Sequence, residues 1–164
     1  MVILITGCAE EDNPLADLGE TTAILNDYEW EAFGGATLSE DGTMVSMQFR
    51  SFSSRISIEH ILQFHNIPTD LGRYDLVAPT FPDTSSLPSA RYYLYDVDVI
   101  LDSYALTPST VDSWLEVDYY DAQARSIEGR YELRFVVDHS SGESSIGNPS
   151  ELFFESGTFS ATVD

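Results

Sequence analysis

Apolar and polar residues alternate along most of the chain from Tyr28 onward, with the two-residue period of a β-strand. The clearest example spans residues 127–137, where one face carries Ile127, Gly129, Tyr131, Leu133, Phe135 and Val137. The opposite face of that segment is mainly charged, with Glu128, Arg130, Glu132 and Arg134. Such a pattern is typical of an antiparallel strand that has one face in the core and one in water.

Other segments follow the same alternation. Leu115, Val117 and Tyr119 alternate with Glu116, Asp118 and Tyr120, and residues 121–126 supply the turn of a hairpin. The remaining one-sided rows are Val45, Met47 and Phe49; Ile56, Ile58, His60, Leu62 and Phe64; Tyr93, Tyr95, Val97, Val99 and Leu101; and Phe159, Ala161 and Val163. Helix signals are weak throughout. The sequence predicts a single all-β domain over residues 28–164, an antiparallel meander of about eight or more strands that forms a β-barrel or a two-sheet sandwich.

The first residues differ in character from the rest. A short apolar run leads to Cys8, the only cysteine of the chain, and the acidic residues 10–12 follow it. Ile5-Thr6-Gly7-Cys8 resembles a bacterial lipobox, which implies cleavage before Cys8 and attachment of lipid to this cysteine. Residues 1–7 would then be the remnant of a lipoprotein signal peptide, and residues 8–27 the lipidated cysteine and an acidic tether. The alternative is an unmodified cysteine that packs as a small apolar residue.

Short motifs in the remainder resemble those of small lipoprotein domains of unknown function from Bacteroidota. The motifs are Trp30-Glu31-Ala32, Ile56-Ser57-Ile58, Leu115-Glu116-Val117-Asp118, Ile127-Glu128-Gly129-Arg130-Tyr131 and Ser156-Gly157-Thr158-Phe159. The resemblance covers most of residues 28–164, and the acidic residues after Cys8 are similar to the tag of surface-exported lipoproteins in the same group. It implies an outer-membrane lipoprotein of the cell envelope, periplasmic or surface-exposed, with an antiparallel β fold. It supplies no catalytic residues.

The charge of the chain restricts its partners. Its 28 acidic and seven basic residues give a formal net charge of −21, and all the basic residues are arginines. A chain without a basic patch does not displace counterions from phosphates, so nucleic acid is excluded as a partner. Bare anionic lipid headgroups are also repelled. Contact with the membrane is therefore expected only through the lipid anchor on Cys8.

Candidate metal ligands and a candidate base can be named. Asp96, Asp98 and Asp102 lie on one face of a predicted strand, and calcium prefers such carboxylate oxygens. Alternate residues of a flat strand lie about 6.7 Å apart, so the three cannot converge alone, and a solvated charged face is the alternative. His60, on an otherwise apolar face, is a candidate general base or ligand, with a hydrogen-bonded core histidine as the alternative.

Motifs of catalytic nucleophiles, metalloproteases and phosphate-binding loops do not occur in the sequence. We therefore expect no enzymatic activity, and no cofactor with the possible exception of calcium. The other candidate contacts are the aromatic residues that the alternation places outward, namely Tyr92, Tyr104, Trp114 and Tyr120. Exposed aromatic rings can stack on sugars or mark a protein-binding surface, and tyrosines that cover sheet edges are the alternative.

The sequence as a whole favours a non-catalytic, lipid-anchored binding or interaction module of the cell envelope. Its partner would be an envelope protein or a glycan. Two alternatives stay open at this point. One is a structural accessory subunit of an envelope complex, and the other is a hydrolase that acts on an extracellular polymer.

Overall fold

A computed structural model of the chain describes residues 18–52, 58–79, 86–96, 98–107, 113–140 and 148–164. Cys8, Ile56 and Val97 lie outside the described residues. The ten strands are β1 (Gly19–Leu25), β2 (Tyr28–Leu38), β3 (Met44–Phe52), β4 (Ile58–Pro68), β5 (Gly72–Asp75), β6 (Ser89–Asp96), β7 (Val99–Leu106), β8 (Trp114–Asp121), β9 (Ser126–Ser140) and β10 (Glu151–Thr162).

The ten strands form one antiparallel sheet that wraps into a ring. The sheet order is β10-β1-β2-β3-β4-β6-β7-β9, and the ring closes because β10 also pairs with β9. One edge of β9 pairs with β10. Along its other edge, Ser126–Glu132 pair with β8 and Phe135–Ser140 pair with β7. β5 extends the sheet beyond β8. The predicted all-β antiparallel fold is therefore confirmed.

The predicted inward faces of four strands are confirmed by burial except at Val137 of β9, which is 36% exposed. The rows on β3, β4, β9 and β10 fill the ring, and their fully buried members include Met47, Phe49, Leu62, Phe64, Tyr131 and Phe135. Aromatic rings pack edge to face around Tyr92, whose ring centroid lies 5.3 Å from that of Phe154, 6.0 Å from that of Tyr104 and 6.3 Å from that of Trp30. The interior is consequently a packed aromatic core, as the apolar alternation requires.

The two ends of the ring differ. Leu18 enters and Asp164 leaves at one end, which we call the terminal end, where the Asp164 amide donates to the Ala36 carbonyl at 2.8 Å. Because consecutive strands run antiparallel, the β1–β2, β3–β4, β6–β7 and β9–β10 connections all lie at the opposite end, the distal end. Any segment before residue 18 therefore joins the ring at the terminal end.

The N-terminal boundary of the domain differs from the predicted one. The tether was expected to reach residue 27, but Gly19–Leu25 form β1 and pair on one side with β10 and on the other with β2. Thr21 and Ala23 are the buried members of this strand. Their side chains are small and partly polar, so the segment carries little apolar alternation. It is ordered because it fills the position that closes the ring.

Two other strand predictions are also corrected. The predicted strand over Tyr93–Leu101 is instead the β6–β7 hairpin, which turns at Asp98. In β8 the register shifts between Val117 and Tyr119, so Tyr119 is exposed and Tyr120 packs against the core, the reverse of the predicted faces. A β-bulge inserts one residue on one strand, and every side chain beyond it changes face.

Candidate functional site

The candidate base His60 meets two of the predicted aromatic contacts, Tyr92 and Tyr104, inside the ring near its distal end. The ring nitrogen Nδ1 of His60 lies 2.5 Å from the hydroxyl oxygen of Tyr92, and the ring of Tyr92 packs against that of Tyr104. Burial lowers the pKa of His60, because the charged imidazolium loses its hydration. His60 is therefore a half-buried, hydrogen-bonded core histidine, which is the structural alternative named above.

Tyr92 and Tyr104 do not face outward as the alternation predicted. Each is only 1% exposed, and the Tyr104 hydroxyl donates to the carbonyl of Pro149 at 3.0 Å. Burial, with a smaller contribution from the Asp102 carboxylate, raises the pKa of Tyr104 to about 12. Tyr92 pairs with Leu62 of β4, and this register turns its ring into the core. Neither tyrosine presents a surface to a ligand.

The three predicted calcium ligands do not come together. Asp102 is buried, and the Asn148 side-chain amide donates to its carboxylate at 2.5 Å. Asp96 and Asp98 are exposed at the β6–β7 turn. The predicted spacing assumed one continuous strand, and the hairpin separates its members. Within the described ranges, no group of three metal-ligating side chains is close enough to hold a metal ion.

Trp114 is the predicted aromatic contact that stays on the outer face of the sheet. It is the first residue of β8 and pairs with Asp75 of β5 on one side and Glu132 of β9 on the other. The guanidinium carbon of Arg73 lies 4.1 Å from the centre of its ring, and its indole nitrogen donates to Glu132 at 3.3 Å. The indole is thereby held between a cation and a carboxylate.

The same arrangement continues on the neighbouring strand. Arg134 pairs with Phe153 of β10, and its guanidinium carbon lies 5.5 Å from the centre of the Phe153 ring. A surface depression of about 140 Å³ lies among these side chains. We call this outer region the Trp114 surface, and define it as Arg73, Trp114, Glu132, Arg134, Phe153 and Glu155.

The two arginines of the Trp114 surface are unusual in so acidic a chain. Elsewhere, Arg130 pairs with Asp118 at 2.8 Å, which lowers the pKa of that carboxyl group, and with Glu116 at 3.1 Å. In contrast, neither Arg73 nor Arg134 has a carboxylate within 4.0 Å in the part of the chain that the structure describes. A guanidinium that stacks on a ring keeps the N–H groups along its edge free to donate. Within the described ranges, both arginines are therefore oriented donors without a carboxylate partner.

Sequence reasoning identified Trp114 and missed its neighbours. Arg73, Arg134 and Phe153 lie on three different strands, so only the pairing of β5, β8, β9 and β10 brings them beside Trp114. The one local signal is the alternation in β9, which places Glu132 and Arg134 on the wet face. Tyr120, the fourth predicted contact, is half-buried against the core and does not belong to this surface.

Comparisons with protein-family models, with curated proteins and with solved structures find no match to this chain. The resemblance to Bacteroidota lipoprotein domains therefore stays a prediction. Among the residues described here, no helix is both long enough and apolar enough to cross a bilayer.

Proposed function

We propose that this chain is a non-catalytic, lipid-anchored binding module of the cell envelope that recognises its ligand with the Trp114 surface. The observation that carries the proposal is the contrast between the two faces of the sheet. The interior is filled by aromatic side chains, whereas the Trp114 surface combines two half-buried aromatic rings, the guanidinium donors stacked on them and carboxylate acceptors on the outer face. A ligand would therefore bind on the outside of the ring.

The chemistry of the Trp114 surface favours a glycan as that ligand. Its two arginines and two glutamates cancel in charge, so neither a strongly anionic nor a strongly cationic ligand gains from the contact. Sugar hydroxyls both donate and accept hydrogen bonds, and the C–H face of a pyranose ring packs on an aromatic plane. A neutral, polyhydroxylated ligand is the class that uses all three kinds of group at once.

The anchor in this proposal is supported by the sequence around Cys8 and by the topology. Chain that precedes Leu18 joins β1 at the terminal end of the ring. A lipid on Cys8 would hold that end towards the membrane, while the outer face of the sheet stays in water. A single acyl chain binds a bilayer only marginally, and stable anchoring needs more than one, as bacterial lipoproteins have.

The binding part of the proposal predicts that Trp114→Ala weakens recognition of a neutral polysaccharide. In affinity electrophoresis against a panel of neutral polysaccharides, at least one should retard the unmodified protein. Trp114→Ala should weaken that interaction by about tenfold or more, since one aromatic contact contributes about 1–2 kcal/mol.

The matched control is Tyr119→Ala, which removes an exposed aromatic residue from the same strand but outside the Trp114 surface. Its affinity should equal that of the unmodified protein. Retardation by no member of the panel, or equal losses in the two variants, would refute glycan binding at this surface.

The anchoring part predicts that cells expressing the full chain behind a lipoprotein signal peptide incorporate labelled fatty acid into it. Cys8→Ala should abolish the label and move the protein from the membrane fraction to the soluble fraction. The chain has no other cysteine to accept the lipid. Label that persists in Cys8→Ala would contradict the anchor and leave the binding test above unaffected.

A further inference from the structure

We infer that a second surface, at the distal end of the ring, docks an apolar, positively charged segment of a partner protein. The surface consists of Phe52, Tyr93, Tyr95 and Ile100, and we call it the Phe52 patch. Phe52 is 67% exposed and Ile100 39%. Tyr93 and Tyr95 are half-buried, with ring centroids 5.9 Å apart.

The pairing register makes the patch continuous. Phe52 of β3 lies opposite Glu59 of β4, which lies opposite Tyr95 of β6, which in turn lies opposite Ile100 of β7. Directly opposed side chains on one face of a sheet are about 5 Å apart, so this row joins four strands without a gap. Glu59, the polar member of the row, is held by Arg50 at 3.3 Å.

An exposed apolar surface of this kind is expected to be buried by a binding partner. Among the described residues, the other large apolar side chains that are exposed are Tyr28, Leu71, Leu87, Val99, Tyr119 and Val137. The pairing register joins none of these to another exposed apolar side chain, and scattered exposure of that kind is normal for a soluble protein. An exposed patch of apolar side chains from several strands costs hydration free energy and is characteristic of an interaction site.

The charges around the patch select the class of partner. Asp96 and Asp98 are exposed beside it, and neither has an arginine within 4.0 Å in the part of the chain that is described. Among the described residues near the patch, Arg50 is engaged by Glu59 and Arg91 by the carbonyl of Pro79. The border of the patch is therefore acidic, as is the chain with its net charge of −21. A basic segment is attracted, whereas a second copy of the chain or an anionic bilayer is repelled.

The position of the patch separates it from both proposed functions above. It lies on β3, β4, β6 and β7, whereas the Trp114 surface lies on β5, β8, β9 and β10. It is also at the distal end of the ring, whereas a tether to Cys8 would begin from Leu18 at the terminal end. An anchored molecule could thus bind a protein at its distal end and a ligand on its outer face. A protein bound at the Phe52 patch would make the chain a subunit of a larger complex, which is the accessory-subunit alternative of the sequence analysis.

The test measures binding of a synthetic amphipathic peptide of leucine and lysine to the complete domain by fluorescence anisotropy. The patch variant is Phe52→Ser/Ile100→Ser, which leaves the net charge unchanged. The matched control is Leu71→Ser/Tyr119→Ser, which removes two exposed apolar side chains elsewhere. We expect saturable binding that weakens by about tenfold or more in the patch variant and not in the control, as for apolar anchors at the centre of an interface. Urea unfolding of both variants verifies that they remain folded.

Three results would overturn the inference. Equal affinity in the two double variants would mean that the peptide binds to the general negative charge and not to the patch. Tighter binding of a leucine–glutamate peptide, or of vesicles that contain anionic lipid, would assign the patch to another class of partner. Concentration-dependent dimerisation that the patch variant abolishes would assign it to a second copy of this chain.

Discussion

Replacing Tyr92 with alanine is expected to lower the free energy of unfolding by about 4 kcal/mol. Tyr92 is the centre of the aromatic core, with its ring packed against those of Trp30, Tyr104, Phe135 and Phe154. Its removal opens a cavity among rings whose backbones are fixed by the closed sheet and cannot collapse into the space. It also leaves the imidazole of His60 without the hydroxyl group that it contacts at 2.5 Å.

The measurement is equilibrium unfolding in urea, where the midpoint should fall while the slope is unchanged. Tyr92→Phe separates the ring from the hydroxyl group, and should cost about 1 kcal/mol because it removes one hydrogen bond and keeps the packing. A loss below about 2 kcal/mol in Tyr92→Ala would show that the core can relax around the cavity, contrary to the closed ring.

Replacing Gly129 with alanine is expected to cost about 3 kcal/mol, although alanine adds only a methyl group. A Cβ atom at this position would lie 2.0 Å from the carbonyl oxygen of Glu116 and 2.7 Å from the ring of Phe159. Phe159 lies directly opposite Gly129, and Tyr131 lies opposite Gly157, so aromatic rings cover the two glycines across the β9–β10 pair. Neither the neighbouring backbone nor the buried ring has room to move.

Gly35→Ala is the matched control, since it makes the same change in strand β2. A Cβ atom there would meet Leu18 at 3.4 Å and the Thr162 carbonyl oxygen at 3.5 Å, which are tolerable contacts. Alanine is preferred to glycine within a strand by about 0.5–1 kcal/mol, so this variant should be as stable as the unmodified protein or slightly more stable. Similar thermal midpoints for the two variants would refute the close approach at Gly129.

The Gly129–Phe159 pair also explains two sequence motifs. Ile127-Glu128-Gly129-Arg130-Tyr131 and Ser156-Gly157-Thr158-Phe159 are two of the motifs that resemble those of Bacteroidota lipoprotein domains. The structure pairs them with each other, so that each glycine accommodates an aromatic ring of the other strand. The sequence contained both halves of this packing but not the register that joins them.

The candidate functional residues also fall into two groups, those that the sequence placed on the correct face of the sheet and those that it did not. Trp114 and Glu132 were placed on the wet side of their strands, and both lie in the Trp114 surface. Tyr92 and Tyr104 were placed outward and are core residues. Their segments are apolar on both faces, so the alternation could not decide which face is buried. The pairing of Tyr92 with the buried Leu62 places the Tyr92 ring on the inner face of the sheet.

By itself, the sequence determined the class of fold and the inward faces of its most regular strands, such as Leu133 and Phe135 on β9. These follow from alternation, which is a local property, because each residue's face depends on its neighbours along the chain. It also fixed the net charge of −21, from which we predict that the chain repels nucleic acid and anionic lipid.

Only the tertiary structure decided the closure of the ring, the inclusion of β1, and the bulge that exchanges Tyr119 and Tyr120. It alone assembled the Trp114 surface and the Phe52 patch, whose members come from several strands. Register, bulges and closure are settled by contacts between residues distant in sequence, and by the gain in buried apolar area when the last strand fills its place. No window along the chain contains those contacts.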